Sequence, residues 1–315
     1  MDNLTHSLTG LMLSRAGLNR FDRRASLILI LSANAPDVDV VSLLGGPLSY
    51  LEYHRGLTHS LAFLPVLAAI TVAVVSLFSR SWAGWRAAYV LALIGVASHL
   101  LLDWTNSYAI RLLLPFSGEW FHLDWMFVLD PLIWAVLLLA VFGPLLGRLV
   151  SSEIGAKPGS GRGLAIFALL CFAAVCFGRS LLHDRALATL NARIYNGAAP
   201  TRVAAFSLMN PLRWTGWVEG SNFATRFDLN LTGDFDPASG RTFYKPEPSP
   251  ALDAARQTLV FQKFLQFSIY PVWSVSPAPD PEGASLVEVW DERFSFGASA
   301  IVDRGNRVVR SWVHL

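Results

Sequence analysis

Two histidines in the heptapeptide HRGLTHS, residues 54–60, lie at the start of a hydrophobic stretch long enough to cross a bilayer. Polar side chains are costly to bury there, so ionisable residues at a membrane segment are candidates for function. His54 and His59 are five residues apart, a spacing that does not stack on an α-helix. Gly56 permits a tight turn between them, which predicts Thr58 as an N-cap and His59 in the first helical turn.

Histidine and aspartate recur around this stretch with spacings that suit metal ligation. His99 and Asp103, in SHLLLDW, are four residues apart and would project from the same face of a helix. Asp37 and Asp39 follow Pro36, and in an extended segment residues two apart share a face, so both carboxylates could reach a shared or adjacent cation. Imidazole and carboxylate donors without a thiolate suit zinc, manganese or iron.

The composition is that of a membrane protein. The chain has 315 residues, of which 53% are hydrophobic and 15% charged, whereas a soluble domain carries about 25% charged residues. The net charge of +2 is small and the arginines are scattered, so nothing in the sequence indicates a nucleic-acid partner. The expected partner is the lipid bilayer.

Hydrophobic runs near the roughly 20 residues that a spanning helix needs occur four times. The predicted spans are 58–79, 87–103, 126–147 and 163–182. The stretch 25–36 is too short to span and is predicted to be a buried or re-entrant helix. No signal peptide is predicted, because Asp2 precedes any positive residue and no small-residue cleavage site follows an apolar core.

The composition of the sequence changes near residue 183, where hydrophobic residues become less frequent and turn-forming residues more frequent. Alternating runs at 264–275, 285–296 and 298–315 predict strands, and DRGN at 303–306 predicts a hairpin turn. The sequence therefore predicts a mainly α membrane protein. Residues 1–182 would form a helical transmembrane bundle of about four spans and one short buried helix, and residues 183–315 a mostly β extramembrane domain.

In this layout five of the seven histidines lie at one membrane boundary. They are His6, His54, His59, His99 and His122. Asp124 and Asp130 are also near this boundary, and each could hold a histidine tautomer or simply favour a helix start. His183 and His314 are interpreted as incidental.

Several motifs, in this order, resemble the YdjM-like family of inner-membrane proteins. They are LTHSLTG, NAPDVD, HRGLTHS and ASHLLLDWTNSYAIRLLLPFS, within about residues 1–180, and NPLRWTGWVEG at 210–220 resembles a segment of longer members. Members are described as membrane-bound metal-dependent hydrolases, and some as LexA-binding proteins. The family is in turn similar to zinc-dependent phospholipase C and single-strand nucleases, helical enzymes that hold zinc through histidine and aspartate.

The resemblance implies a ligand set and a location. By motif, the implied metal ligands are His6, Asp37, His54, His59, His99 and Asp103. The soluble enzymes also use an N-terminal tryptophan as a ligand, whereas this sequence begins MDNLTH, so the number of metals stays open. The implied location is a bacterial inner membrane.

Such a site would hydrolyse a phosphoester or a lipid-linked substrate without an organic cofactor. A zinc-type ion lowers the pKa of bound water from about 15.7 to near 7. Asp39, or else Asp37, is predicted as the general base. Arg55 is predicted to hold a phosphate oxygen, although it could equally be an interfacial anchor.

Two other classes of protein stay open at this stage. One is a membrane scaffold or regulatory protein with a structural metal, and the other is a metal-ion transporter, which would place charges at mid-membrane and often shows repeats. The loops 80–86 and 148–162 carry more positive charge than the loop 104–125, which predicts a multi-pass protein with an extracytoplasmic site. Arginines before the first span favour the opposite orientation.

Overall fold

The computed structural model describes residues 1–153 and 161–315, which form two units. The membrane unit comprises Met1–Asp39, Arg55–His183 and Ser207–Pro211. The C-terminal unit comprises Val40–His54, Asp184–Phe206 and Leu212–Leu315. Each unit buries its own cluster of hydrophobic side chains.

Helices dominate the first two thirds of the chain. The α-helices in the described residues are α1 Asn3–Arg15, α2 Ala25–Ser32, α3 Pro47–Tyr53, α4 Leu64–Phe78, α5 Trp85–Trp104, α6 Pro131–Glu153, α7 Arg162–Asn191, α8 Pro250–Arg256 and α9 Leu259–Phe267. Short 3₁₀ helices cover Leu18–Arg20, Pro36–Gly45 and Leu57–His59.

Two helices in the described part of the chain, α5 and α7, are each long and apolar enough to cross a membrane. The number rises to four if α2 with the 3₁₀ helix after it, and the helical segments on either side of residues 60–63, are each counted as one bent span. The membrane class predicted from composition is therefore confirmed at the level of two to four candidate spans.

Two predicted spans begin before their helices do. In the run 58–79 the α-helix begins only at Leu64, after a 3₁₀ turn and a further turn. In the run 126–147 it begins at Pro131. Both helices have a proline in the first turn, Pro65 in α4 and Pro131 in α6, where the missing N–H costs no helical hydrogen bond. Apolar residues lie on both sides of each helix start, so hydropathy alone places the start of the helix too early.

Helix α2 is the shared neighbour of α1, α4 and α5 in the membrane unit. It buries Ile28 and Leu29 completely, as expected for the short helix predicted at 25–36. The approach of α1 depends on Gly10, because a Cβ there would lie 2.7 Å from the backbone oxygen of Leu29. This close packing brings together the ends of segments that are distant in sequence.

The C-terminal unit contains two four-stranded antiparallel sheets, each with its strands in sequence order. The first sheet is β1 Arg202–Ser207, β2 Arg213–Glu219, β3 Phe223–Asn230 and β4 Arg241–Tyr244. The second is β5 Pro271–Pro277, β6 Ser285–Asp291, β7 Gly297–Val302 and β8 Val308–His314. The predicted mostly β character of this region is therefore confirmed, with α8 and α9 added.

The strand prediction for residues 264–275 is wrong in its first half. Helix α9 continues to Phe267 and the strand begins at Pro271. Thr258 caps this helix through its side chain, and Phe261, Phe264 and Phe267 are buried at a spacing of three residues. That spacing is typical of one helical face, and it was obscured by the β-forming residues that follow. The predicted hairpin turn after β7 is present, with Asp303 accepting hydrogen bonds from two backbone N–H groups.

Asp291 closes the loop after β6 with a buried ion pair. Its carboxylate accepts from the Arg293 Nε at 2.8 Å and Nη2 at 3.0 Å, and also from the Ser268 hydroxyl and the backbone N–H of Ile269. Burial raises the pKa of Asp291, but the Arg293 charge and these hydrogen bonds outweigh it, so that the pKa lies below its ordinary value. Asp291 therefore stays ionised inside the fold.

Candidate metal centre

Four side chains from three elements converge in the membrane unit. Asp37 comes from the 3₁₀ helix after α2, His59 from the next 3₁₀ turn, and His99 and Asp103 from the last turns of α5. One nitrogen or oxygen atom of each lies within 4.8 Å of all the others. The helical pairing predicted for His99 and Asp103 is confirmed, with His99 Nε2 and Asp103 Oδ2 3.4 Å apart.

Hydrogen bonds fix which nitrogen of each histidine faces the centre. His99 Nδ1 lies 2.7 Å from the carbonyl oxygen of Ala33, which can only accept, so this nitrogen carries the proton. His59 Nδ1 lies 3.1 Å from the Thr58 hydroxyl oxygen and 3.2 Å from Asp39 Oδ2; since that hydroxyl donates its own hydrogen to Asp39, both oxygens can only accept from Nδ1. Both Nε2 atoms are thus unprotonated in the neutral rings, yet they lie only 3.1 Å apart. Two lone pairs that face each other repel, and either a shared proton or a metal ion between or beside them would remove this repulsion.

The spacing of the four donor atoms fits one tetrahedral ion. An ion with ligand bonds of about 2.1 Å holds its ligand atoms about 3.4 Å apart. The two Nε2 atoms lie 3.5 and 3.6 Å from Asp37 Oδ1, and 3.5 and 3.4 Å from Asp103 Oδ2. The residues present therefore fit a divalent metal such as zinc, and two carboxylates would balance its charge.

Asp39 does not join the four donor atoms but holds one of them in place. Besides facing His59 Nδ1, its Oδ2 accepts from the Arg55 backbone N–H at 2.9 Å and from the Thr58 hydroxyl at 2.7 Å. The prediction of an extended PDVD segment is wrong, because Pro36 begins a 3₁₀ helix. With three residues per turn, positions two apart point in different directions, so Asp37 and Asp39 take different roles.

Arg55 lies beside the centre and neutralises part of its negative charge. Its Nη2 is 3.1 Å from Asp103 Oδ2, its Nη1 donates to Asn106 at 3.3 Å, and its guanidinium lies over the Tyr108 ring. The side chain is buried and its backbone adopts a positive φ of 54°. The turn expected at Gly56 is thus made one residue earlier, and it aims Arg55 at Asp103.

His6 packs against the centre without joining the four-atom group. Its ring stacks on His99 with centroids 3.8 Å apart, and its Nε2 lies 3.2 Å from the Met1 carbonyl and 3.3 Å from Asp103 Oδ1. Burial, with the neighbouring His99 next in effect, lowers the pKa of His6 well below its ordinary value, so the ring is neutral. The Met1 amino group also contacts Asp103 Oδ1.

His54 and Thr58 differ most from their expected places. His54 follows α3 and stacks on the Tyr50 ring with centroids 4.4 Å apart, within the C-terminal unit. The four-atom group does not include it, and its role as a ligand stays a prediction. Thr58 is not an N-cap: it lies inside the 3₁₀ turn Leu57–His59 and donates to Asp39. This arrangement makes His59 the end of a turn rather than the start of a helix.

The remaining acidic residues near the boundary form pairs outside the centre. Asp124 lies 2.9 Å from His122 Nδ1. Asp130 caps α6 through the backbone N–H of Leu132 and pairs with Arg179 at 2.7 Å. Asp130 and Arg179 are both buried, and Arg179 also donates to two backbone carbonyls of the segment 207–211.

Sequence reasoning did not find Asn106 and Tyr108, which hold Arg55. Both follow Asp103 closely in DWTNSY, where Asn106 Nδ2 also lies 3.4 Å from Asp103 Oδ1. Their position shortly after Asp103 was the only available signal. The role of the Ala33 carbonyl, which orients His99, could not be predicted from the sequence, because every residue has a backbone oxygen.

The fold and the site define a membrane protein with a buried histidine and aspartate cluster able to hold a metal ion. The family model of the YdjM inner membrane protein matches residues 1–183, so the chain belongs to that family, as its motifs suggested.

One curated relative shows how far the similarity extends. "Uncharacterized protein YfhP" of Bacillus subtilis (strain 168) is 30% identical over 151 residues. The match spans 45% of this chain and 45% of that relative. No solved structure matches the chain.

Proposed function

We propose that this protein is a membrane-bound, metal-dependent hydrolase that acts on a phosphoester. The observation that carries the proposal is the donor set: two imidazole Nε2 atoms and two carboxylate oxygens at the spacing of tetrahedral ligands. Structural zinc sites are usually rich in cysteine, whereas histidine with carboxylate is typical of catalytic ones. The metal is proposed to be zinc, with manganese or iron as the other ions that suit these donors.

The chain supplies an environment for hydrolysis. When bound, a metal ion of this kind lowers the pKa of bound water and polarises a phosphoryl oxygen. Asp37 has 14% of its side chain exposed, whereas the other three ligands have none, so solvent and substrate would reach the centre beside Asp37. Asp39 keeps Nε2 of His59 aimed at the centre. Its predicted role as general base stays a proposal, as does contact between Arg55 and a phosphate oxygen.

A lipid or lipid-linked phosphoester is the proposed substrate class. Apolar side chains next to the ligands in sequence are exposed: Val38 follows Asp37, and Leu57 and Leu61 flank His59. Such residues are costly in water but favourable against acyl chains, which supports a centre at the membrane surface. A substrate that is itself held in the bilayer would meet the centre at this depth.

The proposed location is a bacterial inner membrane, crossed several times, with the centre on the extracytoplasmic side. The charge difference between loops supports this orientation. A reporter enzyme fused after Leu315 tests it, and activity confined to a cytoplasmic reporter would overturn the orientation without affecting the chemistry.

The first experiment is metal analysis by mass spectrometry on the full chain in detergent. Wild type should carry at least one equivalent of zinc, manganese or iron, and His59→Ala and Asp103→Ala should lose it. His122→Ala is the matched control, because His122 also faces a carboxylate but lies outside the centre. A wild type that binds none of these ions, even after reconstitution, would end the proposal.

Catalysis is tested on the loaded protein with a fluorescent phospholipid and a soluble phosphodiester in the same micelles. Faster turnover of the phospholipid, lost in His59→Ala, is the expected result. Metal binding without turnover of either substrate would contradict the hydrolase.

A second candidate is a scaffold or regulatory protein with a structural metal. The observation that favours it is that protein atoms alone could fill the coordination shell of the ion. The chain provides four donor atoms, and three of the four side chains are fully buried. A structural site has no open coordination position, whereas a catalytic site has one. Cobalt substitution separates the two, because added phosphate changes the visible spectrum only where a position is open.

A further inference from the structure

The C-terminal unit contains a cleft of about 560 Å³ that the proposed hydrolase does not use. It lies between the two sheets and α8, and its volume is in the range of small-molecule sites. Four charged side chains line it: Arg202, Glu219, Lys245 and Arg256. The cleft is therefore positively charged overall.

The single carboxylate among these four is already engaged. Glu219 Oε1 accepts from the indole N–H of Trp217 at 2.8 Å and lies 3.5 Å from Arg202 Nη1. Neither Lys245 nor Arg256 has a carboxylate within ion-pair distance among the residues that the structure describes. Two positive charges of the cleft are thus left without a neutralising partner.

Both of these cations are held in place by neighbouring groups. The Arg256 guanidinium lies 4.8 Å from the centre of the Trp273 ring, which itself stacks on the buried ring of Phe261. Lys245 Nζ donates to the backbone oxygen of Ser221 at 2.9 Å. A guanidinium stacked on an aromatic face keeps its N–H edge available for an anion, so binding would cost little ordering of the side chain.

Most of the remaining wall is apolar. Phe243, Pro271 and Val272 line the cleft, and so does Trp217, whose ring centroid lies 6.4 Å from that of Phe243. An inorganic anion would leave these surfaces in contact with water. A ligand that combines an anionic group with an apolar or ring-shaped group would cover both parts of the cleft.

We propose that this cleft is a binding site for a phosphate monoester that carries such an organic group. Two unneutralised cations match a phosphate monoester, whose charge near neutral pH is about −1.5 to −2. Arg256 would contact the phosphate through two parallel N–H groups, and Lys245 would act as a second charge. Phe243 and its neighbours would pack against the organic group. This inference does not depend on the proposed hydrolase.

The test is isothermal titration of the full chain in detergent with phenylphosphonate, which carries the same dianion and a ring but cannot be hydrolysed. The protein is first stripped of metal with a chelator, so that the metal centre cannot bind the probe. The variant is Lys245→Gln with Arg256→Gln; both side chains are exposed, so the fold should tolerate the change. Arg310→Gln is the matched control, because Arg310 is also exposed and stacks on a tryptophan, Trp312, but does not line the cleft.

Wild type and Arg310→Gln should bind one equivalent of phenylphosphonate, and the double variant should bind at least about tenfold more weakly, since it loses two charge-assisted contacts. Equal binding by all three proteins, or no binding by wild type at millimolar concentrations, would overturn the proposal. Inorganic phosphate should bind more weakly than phenylphosphonate; equal affinity would overturn the assignment of the organic group. Thermal melts of the variants would show whether a loss of binding is a loss of fold.

Discussion

Replacing Asp39 with asparagine would remove the charge that faces His59 while keeping the size of the side chain. Asp39 Oδ2 accepts from the Arg55 N–H at 2.9 Å and from the Thr58 hydroxyl at 2.7 Å, and it lies 3.2 Å from His59 Nδ1–H, which also faces the Thr58 oxygen at 3.1 Å. An amide oxygen can still accept from them, so the turn should persist. Alanine would leave all three donors without this acceptor. Its effect on folding could then not be separated from its effect on metal affinity.

The expected loss follows from the change in the hydrogen bond to the imidazole. A bond to a charged group contributes about 1.5 to 3 kcal/mol and a neutral bond about 0.5 to 1.5 kcal/mol. The difference of about 1 to 2 kcal/mol predicts a loss of metal affinity of about tenfold, at the lower end of the 10- to 100-fold typical of groups that orient ligands. Asp37→Asn removes the charge of a carboxylate in the centre itself and should cost more.

Competition with a chromophoric chelator in detergent would measure these affinities. Asp124→Asn is the matched control, because Asp124 faces His122 Nδ1 in the same way but lies outside the centre. If Asp39→Asn binds metal as tightly as Asp124→Asn, then Asp39 does not orient His59. If it loses as much affinity as Asp37→Asn, Asp39 is a ligand itself.

Three further predictions concern stability, each measured as a melting temperature in detergent. Asp130→Leu or Arg179→Met alone should cost about 3 to 5 kcal/mol by leaving a buried charge unpaired, and the double substitution much less; equal losses would contradict this. Asp291→Asn should destabilise at neutral pH, and its deficit should vanish as the pH falls below the ordinary carboxyl value of 3.8 and through the lower pKa of the folded state; a constant deficit would contradict this. Gly10→Val should destabilise by separating α1 from α2, whereas Gly178→Ala, with open space around it, should not; equal melts would contradict this.

The sequence predicted the donor types and the membrane class because both depend on local information. His99 and Asp103 are four residues apart within one helix, so their shared face follows from helical geometry alone. The apolar composition of α5 and α7 likewise requires no tertiary contact. These features could be predicted from one sequence.

The division of roles between Asp37 and Asp39 could not be predicted in the same way. It depends on whether PDVD is extended or 3₁₀, a choice that is set by packing after Pro36 rather than by the four residues themselves. The strand predicted over α9 failed for a related reason, since Phe264 and Phe267 fit either a strand or a helix until the buried face is known. Long-range contacts decided both cases.

The four donor atoms come from three separate elements, and this separation sets an order of assembly. During synthesis Asp37 and His59 leave the ribosome well before α5, so the centre cannot exist until α5 has packed against α2. An ion captured after that point would join segments that no peptide bond keeps adjacent, and its binding energy would count toward folding. Chains made in metal-starved cells would then lack this link between the segments, and membrane proteases would degrade them sooner.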